Sequence, residues 1–241
     1  MQPISIQAYN SETRANTYHK RTGFDPERKE RMLDATLRIL LELTPDSGKL
    51  LELGAGSGLF TQKILATQHF REIHVTDGAA TMLEIAQKQL MSDAAQLQFY
   101  TLDFSETNWS NGVTGSFDAV TSSMAIHHAA QKQRLFEEVL SVLTPRGAFV
   151  FADHLAGTTE PIDQLIGHER GRIKLTTQGQ DPQDDIAMRE FLKADAEKQA
   201  AEGNLCESAR AYLDYLSEAG FQHVDCLWRD FWLGVFVAQK G

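Results

Sequence analysis

Nine residues constrain this chain more than any others: Leu50-Leu51-Glu52-Leu53-Gly54-Ala55-Gly56-Ser57-Gly58. An apolar run ends in an acid, glycines follow at every second position, and a helical pattern begins at once. The pattern predicts a buried parallel strand, a tight turn and the start of a helix. Glycine is needed where the backbone takes positive φ and where a ligand approaches the main chain itself. Such a turn lies beneath a nucleotide in doubly wound sheets, although on its own it also fits a turn with a purely structural task. Its spacing disfavours a dinucleotide. The fingerprint G-x-G-x-x-G wants its third glycine one place later, where this chain has Leu59, and Glu52 stands where it would repel a pyrophosphate. A cationic ligand would be attracted instead.

The rest of the chain extends this βα rhythm. Asp25-Pro26 reads as an N-cap followed by proline at the first helical position, opening an amphipathic helix that carries Met32, Leu33, Leu37, Leu40 and Leu41 to about Leu43. Strands are expected at 49–53, 72–76, 97–102, 117–121 and 148–152. Helices begin near Phe60 and Met82, span 131–143 and 209–219, and the turn formers Thr144-Pro145-Arg146-Gly147 break the first of these two from its strand. Two closing strands, 221–227 and 231–238, are joined by a turn near Arg229-Asp230. The expected fold is α/β: a doubly wound, mostly parallel seven-stranded sheet, Rossmann-like, closed by an antiparallel hairpin.

Acids recur at the strand ends. Asp77-Gly78 ends the second strand opposite the glycine turn, where a carboxylate can accept both hydroxyls of a ribose. Asp103-Phe104 follows the third, a further acid at a strand end that faces the same crevice. One such Asp is an ordinary cap; Glu52, Asp77 and Asp103 at three successive strand ends are much less expected by chance and point to one shared ligand site. Ser122-Ser123 ends the fourth strand and should line the same site, because ligands of open α/β sheets bind outside the carboxyl ends.

These motifs resemble the class I S-adenosylmethionine (SAM)-dependent methyltransferases, small-molecule branch. Glu52 through Gly58 is similar to their first motif, E/D-x-G-x-G-x-G, and Asp77 through Leu83 to D-x-S-x-x-M-L, with Ala79 in place of the serine. Phe117-Asp118-Ala119-Val120 followed by His127-His128 resembles their F-D-x-V and histidine pair, and Leu143 through Gly147 their L-x-P-x-G. The resemblance covers roughly 48–156 by motif and 205–240 by layout. It implies SAM as cofactor, S-adenosylhomocysteine as product, and a site built from Glu52, Gly54, Ala55, Gly56, Gly58, Asp77, Gly78, Met82, Asp103, Phe104, Ser122 and Ser123. In this family the N-terminal region closes over SAM with a tyrosine and an arginine near its carboxylate, which implies Tyr18 and Arg21. The Asn- or Asp-Pro-Pro-aromatic sequence of nucleic-acid amino-methyltransferases is absent.

Composition agrees with a small acceptor. The chain has 241 residues, 42% of them hydrophobic, enough for one domain with a core. A net charge of −10 disfavours a nucleic-acid partner, which needs a basic face. Cys206 and Cys226 form no metal or disulfide pattern, no stretch reaches the roughly 20 apolar residues of a membrane span, and Met1-Gln2-Pro3 does not open a signal peptide. These features predict a soluble cytoplasmic protein without membrane contacts. A homodimer is compatible with the pattern but is not legible in it. Residues 1–45 are expected to form a cap and helix, 48–156 the cofactor core, 157–203 a helical lid insertion, and 205–240 the last helix and hairpin. In the insertion, Glu160-Pro161 and Asp181-Pro182 each open a helix, and His168, Arg170, Arg172 and Lys174 read as a solvated basic face.

SAM carries a methyl group already activated by its sulfonium, so the protein must chiefly align acceptor and methyl carbon, worth up to roughly 7–11 kcal/mol. A base adds about 10²–10⁴-fold where the acceptor must first lose a proton. His127, His128 and His154 are the candidates, with His127 and His154 assigned as catalytic; each also fits a packing role. Beside Asp153 they could in principle ligate a metal, but the spacing matches no metal motif, and none is expected. Two rival readings stay open at this point: a SAM-binding regulatory or partner subunit without transfer activity, and an NAD-dependent oxidoreductase.

Overall fold

The computed structural model describes residues 4–11, 25–90 and 96–241. A short helix α1 (Ile4–Tyr9) precedes α2 (Pro26–Leu43), after which strands and helices alternate: β1 (Gly48–Leu53), α3 (Leu59–Ala66), β2 (Phe70–Asp77), α4 (Ala80–Gln89), β3 (Gln96–Thr101), β4 (Phe117–Ser123), α5 (Lys132–Val142) and β5 (Leu143–His154). Helices α6 (Glu160–Thr177) and α7 (Asp185–Ala201) form the insertion, and α8 (Ala209–Glu218), β6 (His223–Asp230) and β7 (Leu233–Gln239) complete the chain. The seven strands lie in the order β3-β2-β1-β4-β5-β7-β6, parallel except for β7, which runs antiparallel to both β5 and β6. The expected doubly wound, Rossmann-like sheet with its closing hairpin is present.

Successive strand side chains face opposite layers. Leu50, Val150 and Ala152 meet α2, α3 and α4 through Met32, Leu40, Phe60, Ile64 and Leu83. Leu51, Leu53, Phe149 and Phe151 meet α5 and α8 through Leu135, Phe136, Tyr212 and Leu216. Helix α2 starts where the sequence predicts: Asp25 caps it by accepting the Arg28 N–H at 3.0 Å. The reversal of strand order beside β1 and β4 opens the crevice in which the glycine turn sits.

Three boundaries and one helix face differ from the sequence reading. Residues 144–147 do not separate α5 from its strand. They loop out as a bulge within β5: Phe117 pairs with Leu143, then Ala119 with Ala148, and Arg146 takes φ of 64°. Helix α7 begins at Asp185 rather than at Asp181-Pro182, because Asp184 supplies the cap, accepting from Ile186 N at 2.8 Å and Ala187 N at 3.2 Å. Asp181 instead accepts from Gln183 N within the preceding turn. The hairpin turns at Phe231-Trp232, not at Arg229-Asp230. Asp230 stays in β6 to ion-pair with Arg28 and Arg31 at 3.1 and 3.2 Å, and Trp232 is buried with the Arg28 guanidinium 4.4 Å from its ring. The basic residues of α6 are not one solvated face: Arg170 tucks inward to meet Asp195 at 2.9 Å, while Arg172 lies outward against Glu169. Among the described residues, no helix is long and apolar enough to cross a membrane.

Phe136 is fully buried and its ring packs on Phe149, Phe151 and Tyr212. Phe136→Ala should therefore cost about 3–5 kcal/mol. Urea denaturation should show a lower midpoint at unchanged m-value.

Candidate functional site

The register brings the predicted acids together. Leu53 pairs with Thr76 on one side and Ser122 on the other, so β1, β2 and β4 end level with one another. The glycine turn leaves from there. Gly54 takes φ of 68°, and a Cβ on it would collide with Ala125, so neither conformation nor space admits another residue. Gly58, φ 82°, starts α3 and lets it lie against Leu90 and Ala86.

A single cavity opens over this turn. Glu52, Gly54, Ala55, Gly56, Asp77, Gly78, Met82, Asp103, Phe104 and Ser123 all line it. Gly58 and Ser122, grouped with them in the sequence reading, do not: Gly58 serves the helix packing just described, and the buried Ser122 hydroxyl donates to the Leu53 carbonyl at 2.8 Å. Tyr18 and Arg21 lie outside the described residues. Several lining residues carried no sequence motif. Ile6 and Tyr9 of α1 cover the Gly78 end, and Lys29 and Leu33 enter from α2, four residues apart and hence on one helix face. Met124, at the end of β4, lines the cavity with φ of 60°, held by its N–H to the Ala152 carbonyl at 2.8 Å. No residue of 157–203 is among the lining residues described.

Each acid is held differently. Asp77 accepts from Gly56 N and Ala79 N, both at 2.8 Å, so it ties the glycine turn to the start of α4; burial, and the charge of Asp103, push its carboxyl up to about 6. Glu52, 1% exposed, accepts from the Thr61 hydroxyl at 2.7 Å; burial pushes it up to about 7, with the charge of Asp77 adding to the rise. Asp103 accepts from the Ser105 N–H and hydroxyl through one oxygen, while its Oδ2 is buried without a hydrogen-bond partner. A cavity with three carboxylates and one lysine favours a cation and disfavours a pyrophosphate.

The histidines assemble behind the cavity. His128 lines it, whereas His127 and His154, the two assigned as catalytic, do not. The His127 ring lies 4.1 Å from that of His128 and stacks on that of His154 at 5.2 Å. His127 Nδ1 meets Asp153 Oδ1 at 2.5 Å, and Asp153 also accepts from the Tyr212 hydroxyl at 3.0 Å and from His154 N at 2.8 Å. Burial would raise the Asp153 carboxyl, but the charge and hydrogen bond of His127 bring it below its ordinary value. Burial, reinforced by His127, pushes both His128 and His154 down to about 3, so these two rings are neutral at pH 7. Asp153 fixes Nδ1 of His127 as the proton-bearing nitrogen and leaves Nε2 as the basic one. Among the described residues, no group of three or more His, Cys, Asp or Glu side chains is arranged to hold a metal.

Residues 51–149 match the model of a family described as a methyltransferase domain. Over 126 residues, 51% of the chain, it is 32% identical to a dimethylglycine N-methyltransferase of Parasynechococcus marenigrum, covering 44% of that protein. It is 27% identical over 144 residues, 57% of the chain, to a demethylmenaquinone methyltransferase of Thermotoga maritima, covering 55% of that protein. The matched region thus spans about half the length of these relatives. Among solved structures, magnesium protoporphyrin IX methyltransferase of Synechocystis with bound S-adenosylhomocysteine superposes with a TM-score of 0.65, at 14% identity, covering 99% of each chain.

The buried Glu52 carboxyl makes stability depend on pH. Raised from 4.5 to about 7, it favours the folded state fully below pH 4.5, and that contribution is lost as pH rises through 7. Glu52→Gln removes the penalty for a buried charge. Ligand-free Glu52→Gln protein should be more stable than the parent at pH 8, by about 1–3 kcal/mol, and equal to it at pH 4.5. Equal urea midpoints at pH 8 would contradict this.

Proposed function

We propose that this chain, whose residues 51–149 belong to the methyltransferase-domain family, transfers the methyl group of SAM to oxygen, nitrogen or carbon of a small-molecule acceptor. The observation that carries the reading is the acid-lined cavity at three strand ends, with an orphaned carboxylate oxygen on its wall. Asp103 Oδ2 is buried and unpartnered, and an adenine amino group would satisfy it beside the Phe104 ring. Asp77, already anchored by two backbone N–H groups, has lone pairs left for ribose hydroxyls. Glu52 lies on the same wall and would face the cationic part of the cofactor, with Gly54, Ala55 and Gly56 allowing close approach. SAM supplies an electrophilic methyl group; the chain must supply alignment, a dry site and, for a protonated acceptor, a base.

His127 fits that last task best. Its Nδ1 is held by a buried carboxylate, whereas His128 and His154 are depressed too far to take a proton at neutral pH. His128 then contributes a neutral wall between base and cofactor, and His154 a stacking surface. The acidic balance disfavours a nucleic-acid acceptor, and two relatives are named for the small molecules demethylmenaquinone and dimethylglycine, which supports a small-molecule acceptor here. Free Cys206 and Cys226 suit a reducing compartment such as the cytoplasm.

A thermal-shift comparison with SAM, S-adenosylhomocysteine and NAD tests the cofactor. At 100 times Kd, binding adds about 2.7 kcal/mol, a rise of roughly 5–10 °C for a chain of this size. The rise is expected with the first two ligands; a rise with NAD alone would overturn the reading. Asp103→Ala should weaken SAM binding about 10–100-fold without lowering the melting temperature of the ligand-free protein. His127→Ala should leave SAM affinity intact and slow turnover by about 10²–10⁴-fold; unchanged turnover would remove the base from the mechanism.

A further inference from the structure

Lys132 opens α5 and is 4% exposed, yet the chemistry above makes no use of it. An ammonium so deeply placed is costly unless its donors are satisfied. Its Nζ donates to two carbonyls, that of Ala129 three residues before it at 2.9 Å and that of Leu205, far along the chain, at 2.7 Å. Burial pulls its pKa down, while Glu207 and Asp153 act in the other direction.

The two carbonyls belong to segments that matter. Ala129 caps the single turn Ile126–His128, which carries both histidines. Leu205 lies in the stem by which the α6–α7 insertion returns to the sheet, and its own N–H donates to the His127 carbonyl at 2.8 Å. The outgoing stem starts directly from Asp153 and His154. The two stems join where Leu155 bridges Glu207 and Ala156 N–H reaches the Glu207 carbonyl at 2.9 Å. His127 is therefore gripped twice where the insertion meets the sheet: its ring by Asp153 at the end of β5, its backbone by Leu205 on the returning stem. Lys132 crosses between the histidine turn and the returning stem.

We propose that Lys132 is a positioning residue for His127: its ammonium fastens the histidine turn to the insertion's stem, so that seating the insertion and orienting the imidazole are one event. Its consequence for turnover rests on the reading of His127 as base; its structural consequence does not. A methionine at this position fills similar space but bonds neither carbonyl, so the Leu205 N–H bond to the His127 carbonyl loses the ammonium clamp beside it and opens more readily.

The test compares Lys132→Met with the full-length parent by three measurements that need no acceptor: proton NMR of the His127 Nδ1–H shared with Asp153, hydrogen exchange at the Leu205 amide, and calorimetric titration with SAM. The His127 proton signal should broaden or move toward that of an ordinary imidazole, and Leu205 exchange should rise about tenfold or more. SAM affinity should stay within about twofold, and Lys132→Arg should restore part of both local signals. Should Lys132→Met fail to fold, Lys132→Gln, which keeps one donor group, carries the same comparison. An unchanged His127 signal with unchanged Leu205 exchange overturns the proposal. So does a loss of protection spread evenly over the sheet, which would make Lys132 a general stabiliser. His127→Ala keeps the backbone carbonyl and should leave Leu205 protected, so a failure of the base assignment is distinguishable from a failure of this one.

Discussion

The contact on which the site depends is the pair of hydrogen bonds to Asp77. One carboxylate oxygen takes the Gly56 N–H and the other the Ala79 N–H. Those two bonds lock the turn after β1 to the turn after β2, the two backbone segments that form the cavity floor. The arrangement needs parallel neighbours in register, which Leu53 opposite Thr76 provides, and it needs Gly54 at positive φ, where a side chain would meet Ala125. Covering layers, apolar alternation and strand order all serve to hold these strand ends level. The cavity follows from that alignment.

Electrostatics divides the site into two regions with opposite needs. Around the proposed cofactor cavity, Glu52 and Asp77 are raised by burial and by neighbouring acids, so the ligand-free cavity bears a strain that a cation would relieve. Behind it, three imidazoles crowd one carboxylate. Only His127 is paired with Asp153, and its neighbours lose basicity through burial and through proximity to it. A cluster of similar residues thereby yields a single candidate base, chosen by the carboxylate rather than by any property of histidine itself. The same carboxylate sits at the root of the insertion, so the orientation of His127 and the seating of α6 and α7 share an anchor.

Where sequence and structure diverge, a tertiary partner outweighs a local signal. Arg229-Asp230 has the polarity of a turn, but Asp230 is held in the strand by Arg28 and Arg31, and Trp232 is buried under the Arg28 guanidinium. Thr144 through Gly147 has the composition of a break, yet both flanks pair with β4 and the four residues are accommodated as a bulge. Ser122 and Ser123 look equivalent as a dipeptide. Strand alternation gives Ser123 to the cavity and leaves Ser122 bonded to the Leu53 carbonyl.

The sequence by itself determined the sheet, its order of layers and the acids at its edge. These rest on short-range physics: alternation with a period of two, helical spacing in α2, and glycines whose conformations no other residue takes cheaply. Glu52, Asp77 and Asp103 were legible because each directly follows or ends an apolar run. Which histidine has a carboxylate, that Lys29, Leu33 and Met124 enter the cavity, and that Lys132 bridges the turn and the insertion's stem were decided only by the tertiary structure. Those relations join residues distant in sequence, and hydrogen bonding and burial act on distance in space, which no local pattern records.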